Sequence, residues 1–421
     1  MAGPTHRRRI VITGMGTVNP IGNSVSEFWT SLLEGRSGVR RATRVDLDQH
    51  SVQIAGEVDL PDVSEHISPK MAKRLGRFIT LGRVAAGQAW EDSGFDASIV
   101  ERSPDRFGVI VGTGDGGNDV HYRMISRIER AGSLDAVSPF YSVGCIPNMP
   151  PALFALGKGL QGPNFSVNSA CASSNHAIAV AAMTIQCGLA DVIFAGGTEG
   201  VVSVPGFAGF SVIGALSERN DDPETASRPF DRERDGFVIG EGAGILCLEE
   251  LEHARRRGAR IHAELTGIGF SCDAHDMVSP HPQGFGAERS MRAALDYAGL
   301  VPSDIGLVNA HGTSTPLGDV AEARALNRVF TNGSGDVPVH STKSMLGHLI
   351  GAAGAVEAIA GVLALQEGAS HTSINVFDLD PEIELNVIRD QPREERVDHV
   401  LSNGFGFGGQ NGTLILSRFD G

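Results

Sequence analysis

Residues 172–186 read ASSNHAIAVAAMTIQ, and residues 350–366 read IGAAGAVEAIAGVLALQ. Both stretches have helical length and carry small, apolar side chains nearly all the way round. A helix without a polar face packs on every side, so each belongs in the interior of a large domain. Outward from them, short β-branched runs alternate with helical patterns. Strands are expected at Arg9–Thr13, Phe107–Gly112, Val192–Gly196, Gly244–Leu248, Ile261–Ile268, Leu307–Ala310, Val337–Ser341, His399–Ser402 and Thr413–Arg418. Helices such as Ser26–Leu33, Leu75–Asp92, Ala287–Ala298 and Asp319–Val329 fall between them. This alternation predicts α/β layers. One interior helix in each part of the chain predicts a duplicated α-β-α-β-α sandwich with the helix pair at its centre, its halves being residues 1–258 and 259–421.

The bulk numbers fit that reading. The chain has 421 residues, 41% hydrophobic and 20% charged, which is ordinary globular composition at a length beyond one small core. Its formal charge of −15 argues against nucleic acid and anionic membrane as partners. The five cysteines are odd in number and lack C-x-x-C spacing, so no disulfide framework or metal site is expected. His6-Arg7-Arg8-Arg9 precedes an apolar run of only Ile10-Val11-Ile12, too short for a signal peptide. The expectation is a cytoplasmic chain with reduced thiols.

Four motifs carry chemistry. In Val167-Asn168-Ser169-Ala170-Cys171-Ala172-Ser173-Ser174, a short strand turns through small residues into the first interior helix. Cys171 at that helix N-terminus is placed for a lowered thiol pKa and a nucleophilic role, the alternative on this segment alone being a buried cysteine that packs as a small hydrophobe. The other four cysteines read as small hydrophobes or bystanders. In Asn309-Ala310-His311-Gly312-Thr313-Ser314-Thr315, a histidine ends a buried strand. As a neutral imidazole, His311 can donate to a carbonyl oxygen or accept a proton, and Thr313 and Thr315 can hold the polar part of a long substrate.

Lys343-Ser344-Met345-Leu346-Gly347-His348 leads into the second interior helix, which contains Glu357. Burial of Lys343 and His348 beside so apolar a helix requires partners, and Glu357 is a candidate for an ion pair with Lys343 or for a cation. Gly404-Phe405-Gly406-Phe407-Gly408-Gly409-Gln410-Asn411-Gly412 lies between two C-terminal strands, where glycines let backbone N–H groups turn inward as an oxyanion hole. Gly112-Thr113-Gly114-Asp115-Gly116-Gly117 also fits the dinucleotide fingerprint, but it lies far into the chain and the next segment, Val120–Arg130, is polar rather than a tightly packed helix.

Together these motifs resemble the elongating β-ketoacyl-[acyl-carrier-protein] synthases, whose fold is thiolase-like, from Arg9 to Phe419. Pro229-Phe230-Asp231-Arg232 and Gly236-Phe237-Val238-Ile239-Gly240-Glu241-Gly242 add to the resemblance. It implies that Cys171 takes an acyl chain from a carrier protein and that His311 and His348 handle malonyl-carrier protein as carbon dioxide leaves. It implies that Lys343 supports the histidines, and that the N–H groups of Cys171 and Phe407 form the oxyanion hole. Phe407 also matches a gating position, and Phe405 is expected to contact substrate. Thr313 and Thr315 match positions that touch a phosphopantetheine arm, which the carrier protein supplies, so no cofactor of the chain's own is implied. The basic run Lys70, Lys73, Arg74 and Arg77 lies where relatives receive the acidic carrier. The family is dimeric.

Several residues depart from the pattern. Asp115 stands where an apolar residue usually lines the acyl pocket. Asp276 and Val278 replace a histidine and a threonine, and Gln410 replaces a threonine. These departures leave the condensing set intact and point to an unsaturated or oxygenated chain. They raise the alternative of a ketosynthase subunit of a dissociated polyketide system, paired with a cysteine-less chain-length partner. A catalytically empty chain-length subunit would lack Cys171, and a biosynthetic thiolase would use a second cysteine. A dinucleotide oxidoreductase would rest on Gly112–Gly117 alone.

Overall fold

In the computed structural model, which describes residues 7–60, 62–330 and 337–421, the β-branched runs form an eleven-stranded sheet. Its strands are β1 (Ile10–Val18), β2 (Phe107–Gly112), β3 (Asn164–Val167), β4 (Val192–Glu199), β5 (Gly242–Glu250), β6 (Ala263–Cys272), β7 (Leu307–Asn309), β8 (Pro338–His340), β9 (Asn386–Val387), β10 (His399–Gly406) and β11 (Gln410–Ser417). Their order is β9-β8-β7-β10-β11-β6-β1-β5-β4-β2-β3. His6 lies outside the described residues.

The duplication is visible in the pairing. In the first half, β1 runs antiparallel to β5 and β5 to β4, whereas β4, β2 and β3 are parallel. The second half repeats this: β6 is antiparallel to β11 and β11 to β10, whereas β10, β7 and β8 are parallel. Numbered from its own first strand, and with the two-residue edge strand β9 of the second half set aside, each half has the order 3-2-4-5-1. The halves join where Val11 faces Glu264 and Ile12 faces Ala263.

Eight helices position the rest: α1 (Arg77–Ser93), α2 (Asn118–Ala131), α3 (Met149–Lys158), α4 (Ser173–Gln186), α5 (Val204–Val212), α6 (Phe285–Ala298), α7 (Pro316–Phe330) and α8 (Ala353–Glu367). Helix α1 covers β1 and β5, and α6 covers β6 and β11 in the equivalent place. Helices α4 and α8 pack against each other in the middle, α4 on β2 and β4, α8 on β5 and β10. Every residue from Ala353 to Leu365 is buried, as the absence of a polar face requires. Ile350–Glu367 is long and apolar enough to cross a membrane, but 89% of it is enclosed by the protein. A larger side chain at the wholly buried Ala358 or Ala360 has no space and would cost about 1–3 kcal/mol.

One local feature agrees with expectation and one differs. Val120–Arg130, read as polar rather than a tightly packed helix, lies in α2 with only Val120 and Met124 buried. The second interior helix starts later than its sequence pattern, because Ile350 adopts φ +46° and Ile350–Ala352 forms a 3₁₀ turn ahead of α8. At the end of β2, a Cβ on Gly112 would stand 2.5 Å from the Ser173 carbonyl. Glycine there lets the strand abut the first turn of α4, beside Cys171.

Candidate active site

Cys171 sits in the turn between β3 and α4. Ala170 before it has φ +49°, a strained conformation for a residue with a Cβ. The turn is held by Ser173, whose hydroxyl accepts the Ser169 N–H at 2.9 Å and donates to the Ala170 carbonyl at 2.7 Å. The hairpin between β10 and β11 closes on it. A Cβ on Gly406 would lie 2.7 Å from the Ser169 carbonyl oxygen and 3.2 Å from the Cys171 nitrogen, so glycine permits the approach. The backbone N–H groups of Phe407 and of Cys171 itself lie near enough to the sulfur to favour its thiolate.

The expected lowering of the Cys171 pKa is not found. Burial pushes the thiol up to about 12, outweighing the nearby Lys343 charge and the two N–H groups, while the Glu199 carboxylate adds to the rise. The helix terminus helps little because the Ala172 and Ser173 N–H groups are turned back onto the Ser169 and Ala170 carbonyls, at 3.0 and 3.1 Å.

His311 follows β7. Its N–H and that of Gly312 donate to the Glu322 carboxylate of α7 at 2.8 and 2.7 Å, and the Asn403 amide of β10 donates to the same group at 3.1 Å. His348 is fixed through its backbone, its N–H on the Val238 carbonyl at 2.7 Å and its carbonyl taking the Gly240 N–H at 2.9 Å. The Ile350 N–H donates to His348 Nδ1 at 3.3 Å, which leaves the proton of the neutral ring on Nε2. Among the described residues, neither His348 Nε2 nor His311 Nδ1 has a protein partner. Burial holds both imidazoles well below the usual 6.5, and the Lys343 ammonium lowers them further, so both are neutral. Lys343 is buried in an ion pair with Glu357, whose other oxygen has no partner among the described residues.

Cys171, His311 and His348 line one cavity of about 340 Å³ with Thr313, Thr315, Phe237, Phe405 and Phe407. The Thr313 and Thr315 hydroxyls are 3.0 Å apart, Phe405 lies 5.5 Å from the His311 ring, and Phe407 lies 6.2 Å from Phe210. Val278 is at the rim, while Asp276 folds back to accept the Val278 and Ser279 N–H groups at 2.9 Å. Gln410 Oε1 is buried without a partner among the described residues.

Asp115 does not line this cavity. It lies next to it, because Gly114 abuts Ile350 and Ala170. Its side chain accepts the Asn118 amide at 2.6 Å through one oxygen, and the other is buried without a partner among the described residues. Burial raises Asp115 to about 6. The Gly112–Gly117 loop is not a phosphate cradle: the Gly114 N–H donates to Glu199 at 2.7 Å, the Asp115 N–H at 3.3 Å and the Thr113 hydroxyl at 3.1 Å. Glu199, which sequence reasoning missed, also takes the Gly351 N–H at 3.0 Å and is raised to about 8, first by burial and then by Asp115. It ties the turn after β2 to the turn before α8.

Of the basic run, Lys70, Lys73 and Arg74 are exposed. Arg77 is not available as a surface cation: its guanidinium turns inward onto buried Glu241 at 2.7 and 2.6 Å, since that carboxylate needs a counter-charge. Lys73 and Arg77 border a second cavity of about 620 Å³ with Arg44, Asp119 and Arg123. It is larger than the first but contains neither the cysteine nor the histidines.

A thiol at a strained turn, facing two neutral imidazoles at the centre of a duplicated α/β sandwich, defines a thiolase-like acyl-transfer enzyme. Comparison narrows the class. Residues 7–254 match the model of the β-ketoacyl synthase N-terminal domain, and residues 262–377 that of the C-terminal domain. The chain is 43% identical to 3-oxoacyl-[acyl-carrier-protein] synthase 2 of Coxiella burnetii and 43% to that of Vibrio harveyi, covering 98% of this chain and 99% of each relative. Among solved structures, the ishigamide ketosynthase/chain length factor is similar at a TM-score of 0.91 and 34% identity, covering 98% of this chain and 100% of that one. A β-ketoacyl synthase from Burkholderia phymatum STM815 is similar at 0.90 and 36%, with the same coverage. The chain belongs to the β-ketoacyl synthase family.

Proposed function

We propose that the chain catalyses decarboxylative Claisen condensation of an acyl group held on Cys171 with malonyl-carrier protein, giving a 3-oxoacyl-carrier protein two carbons longer. The observation that carries this reading is the convergence of Cys171, His311 and His348 on one cavity, with the Phe407 N–H against the sulfur. Cys171 attacks the thioester of the acyl carrier, and its proton leaves with the departing pantetheine thiolate. Malonyl-carrier protein then binds with its thioester carbonyl toward the two imidazoles. Their N–H groups stabilise the enolate as carbon dioxide is lost. The enolate carbon attacks the acyl-Cys171 carbonyl, the N–H groups of Cys171 and Phe407 hold the tetrahedral oxyanion, and the thiolate is expelled and reprotonated. Burial keeps both imidazoles neutral, and the Lys343 ammonium, paired with Glu357, lowers them further, so that they act as donors and not as cations.

The chain needs no cofactor of its own, because the carrier protein supplies phosphopantetheine. Thr313 and Thr315 hold that arm, Phe405 and Phe407 flank the entering acyl group, and Lys70, Lys73 and Arg74 receive the acidic carrier. The enzyme is cytoplasmic and dimeric, and β3 supports the second point: it lies at the sheet edge with Phe165 38% exposed. A second reading, a polyketide ketosynthase joined to a chain-length subunit, is favoured by one observation, the half-buried Asp115 carboxylate beside the site.

Incubation with acyl- and malonyl-carrier protein, followed by carbon dioxide release and product mass, tests the proposal. Wild type should release carbon dioxide and extend the chain by two carbons, and Cys171→Ala should not elongate. Absence of both activities across several acyl donors, with a candidate chain-length subunit supplied, would overturn it.

A further inference from the structure

His176 is among the titratable groups near the nucleophile that the mechanism leaves unused. His176, on α4, points back toward the turn that carries Cys171. Its Nε2 lies 3.1 Å from the Asn411 carbonyl oxygen, and its Nδ1 lies 2.7 Å from the Ser169 hydroxyl. The first contact fixes the tautomer. A carbonyl oxygen only accepts, so Nε2 carries the proton, and Nδ1 of the neutral ring is left to accept from the serine. The relay therefore runs Ser169 Oγ–H to Nδ1, then Nε2–H to the Asn411 carbonyl.

Its two ends matter. Ser169 stands two residues before Cys171, in the strained turn. Asn411 stands in β11, just past the loop that carries Phe407, and its side-chain amide holds Asp273 at 2.9 Å and the Gly409 carbonyl at 3.3 Å. Phe270 packs edge-on against the imidazole, 5.0 Å between centroids and 82° between planes. A Cβ on Gly412 would lie 2.9 Å from His176 Cδ2, so the backbone of β11 lies directly against the ring. The imidazole is thus held on both sides and bridges two segments contributed by different halves of the fold.

We propose that His176 is a positioning residue for the condensing reaction: through Ser169 and Asn411 it sets the distance between the Cys171 thiol and the Phe407 N–H. This rests on the function proposed above. His176 touches neither substrate nor sulfur; it acts through the two loops. A shift of the donor relative to the sulfur weakens the oxyanion hole without altering the binding of either carrier protein, so its loss appears in kcat and not in KM.

Two variants divide the relay. His176→Gln retains a donor toward Asn411, and His176→Asn retains an acceptor toward Ser169. Each should lower kcat for elongation by about tenfold, the effect of one hydrogen bond, with KM for malonyl-carrier protein unchanged. Ser169→Ala should cause a similar loss in wild type and no further loss when combined with His176→Gln or His176→Ala, which already lack the acceptor toward Ser169. Alkylation of Cys171 by iodoacetamide, without any carrier protein, should shift severalfold in the same variants. If the variants melt at lower temperature but retain both kcat and alkylation rate, His176 is merely structural and the proposal falls. If His176→Ala fails to fold, the Gln, Asn and Ser169→Ala proteins decide. Failure of wild type to elongate would remove the condensing function instead, and the alkylation series would still report on the tie.

Discussion

The imidazoles of His311 and His348 stand nearly perpendicular, at 85°, with their centroids 5.4 Å apart. Each reaches that place by a different route, one through the end of β7 and Glu322, the other through Val238, Gly240 and Ile350. Both face the same cavity, which lets two N–H groups meet one carbonyl oxygen. Replacing either histidine by alanine should therefore reduce decarboxylation of malonyl-carrier protein by about 10²–10³-fold. Acylation of Cys171, followed by intact-protein mass, should persist in both variants. Loss of acylation together with decarboxylation would assign the histidines to the nucleophile instead.

The buried Lys343–Glu357 pair is a second point of attack. Glu357→Gln leaves an ammonium without its counter-charge in the interior, at a cost of about 3–5 kcal/mol by urea denaturation. The double variant Lys343→Met, Glu357→Gln removes both charges and should regain most of that stability. Its decarboxylation should nevertheless be impaired, because the lysine charge no longer acts on the histidines. A double variant with wild-type decarboxylation would confine the pair to folding.

The thiol of Cys171 is raised to about 12 by burial, so its thiolate fraction should grow tenfold per pH unit through the neutral and mildly alkaline range. Iodoacetamide alkylation of the free enzyme should climb without a plateau up to pH ~10, past the value of roughly 8.5 for an ordinary cysteine. A plateau below pH ~8 would mean that the N–H groups and Lys343 outweigh burial.

Asp115 titrates upward on folding, from 3.8 to about 6. A carboxyl raised in the folded state favours folding below its unfolded pKa and loses that contribution as pH climbs through the folded value. Asp115→Asn removes the penalty. Its stability gain should be near zero at about pH 4, grow toward pH 6 and hold at about 1–3 kcal/mol above that. Thermal denaturation across that range measures it, and a gain independent of pH would disprove the assignment.

Asn175 is wholly buried on α4, and neither atom of its amide has a hydrogen-bond partner among the described residues. Its oxygen lies against Gly354 and Gly404, where a Cβ would stand 1.8 and 2.3 Å away. Asn175→Ala takes an unpaired amide out of the interior and suits a helix better. It should raise stability by about 1–2 kcal/mol with elongation retained. A lower melting temperature would show that the amide is satisfied in solution.

What the sequence revealed depended on whether a residue's neighbours lie close along the chain. Helices α4 and α8 were legible because apolar residues on every face leave no alternative to burial. Cys171 and His311 were legible because each stands at a strand–helix junction among small residues, and His348 because it leads into the second interior helix. Glu199 and Glu322 were not: they act by gathering N–H groups from other segments, and a lone acidic residue carries no sign of which backbone it will hold. His176 was hidden for the same reason, its partners being Ser169 and the distant Asn411. The pKa of Cys171 was misjudged because the helix terminus was visible and the burial was not. Arg77 reads as one more cation in a basic run, and only the fold reveals that Glu241 waits beneath it.

The hairpin of β10 and β11 pairs with the second half of the sheet yet lays Gly406 and Phe407 against a turn of the first. Translation delivers the groups around the cavity in a fixed order: the thiol first, then His311, then His348, and the Phe407 amide last. A growing chain that has already made the nucleophile lacks the Phe407 donor and the hairpin that closes on the turn. A half-made protein therefore holds the thiol without the amide that completes the site.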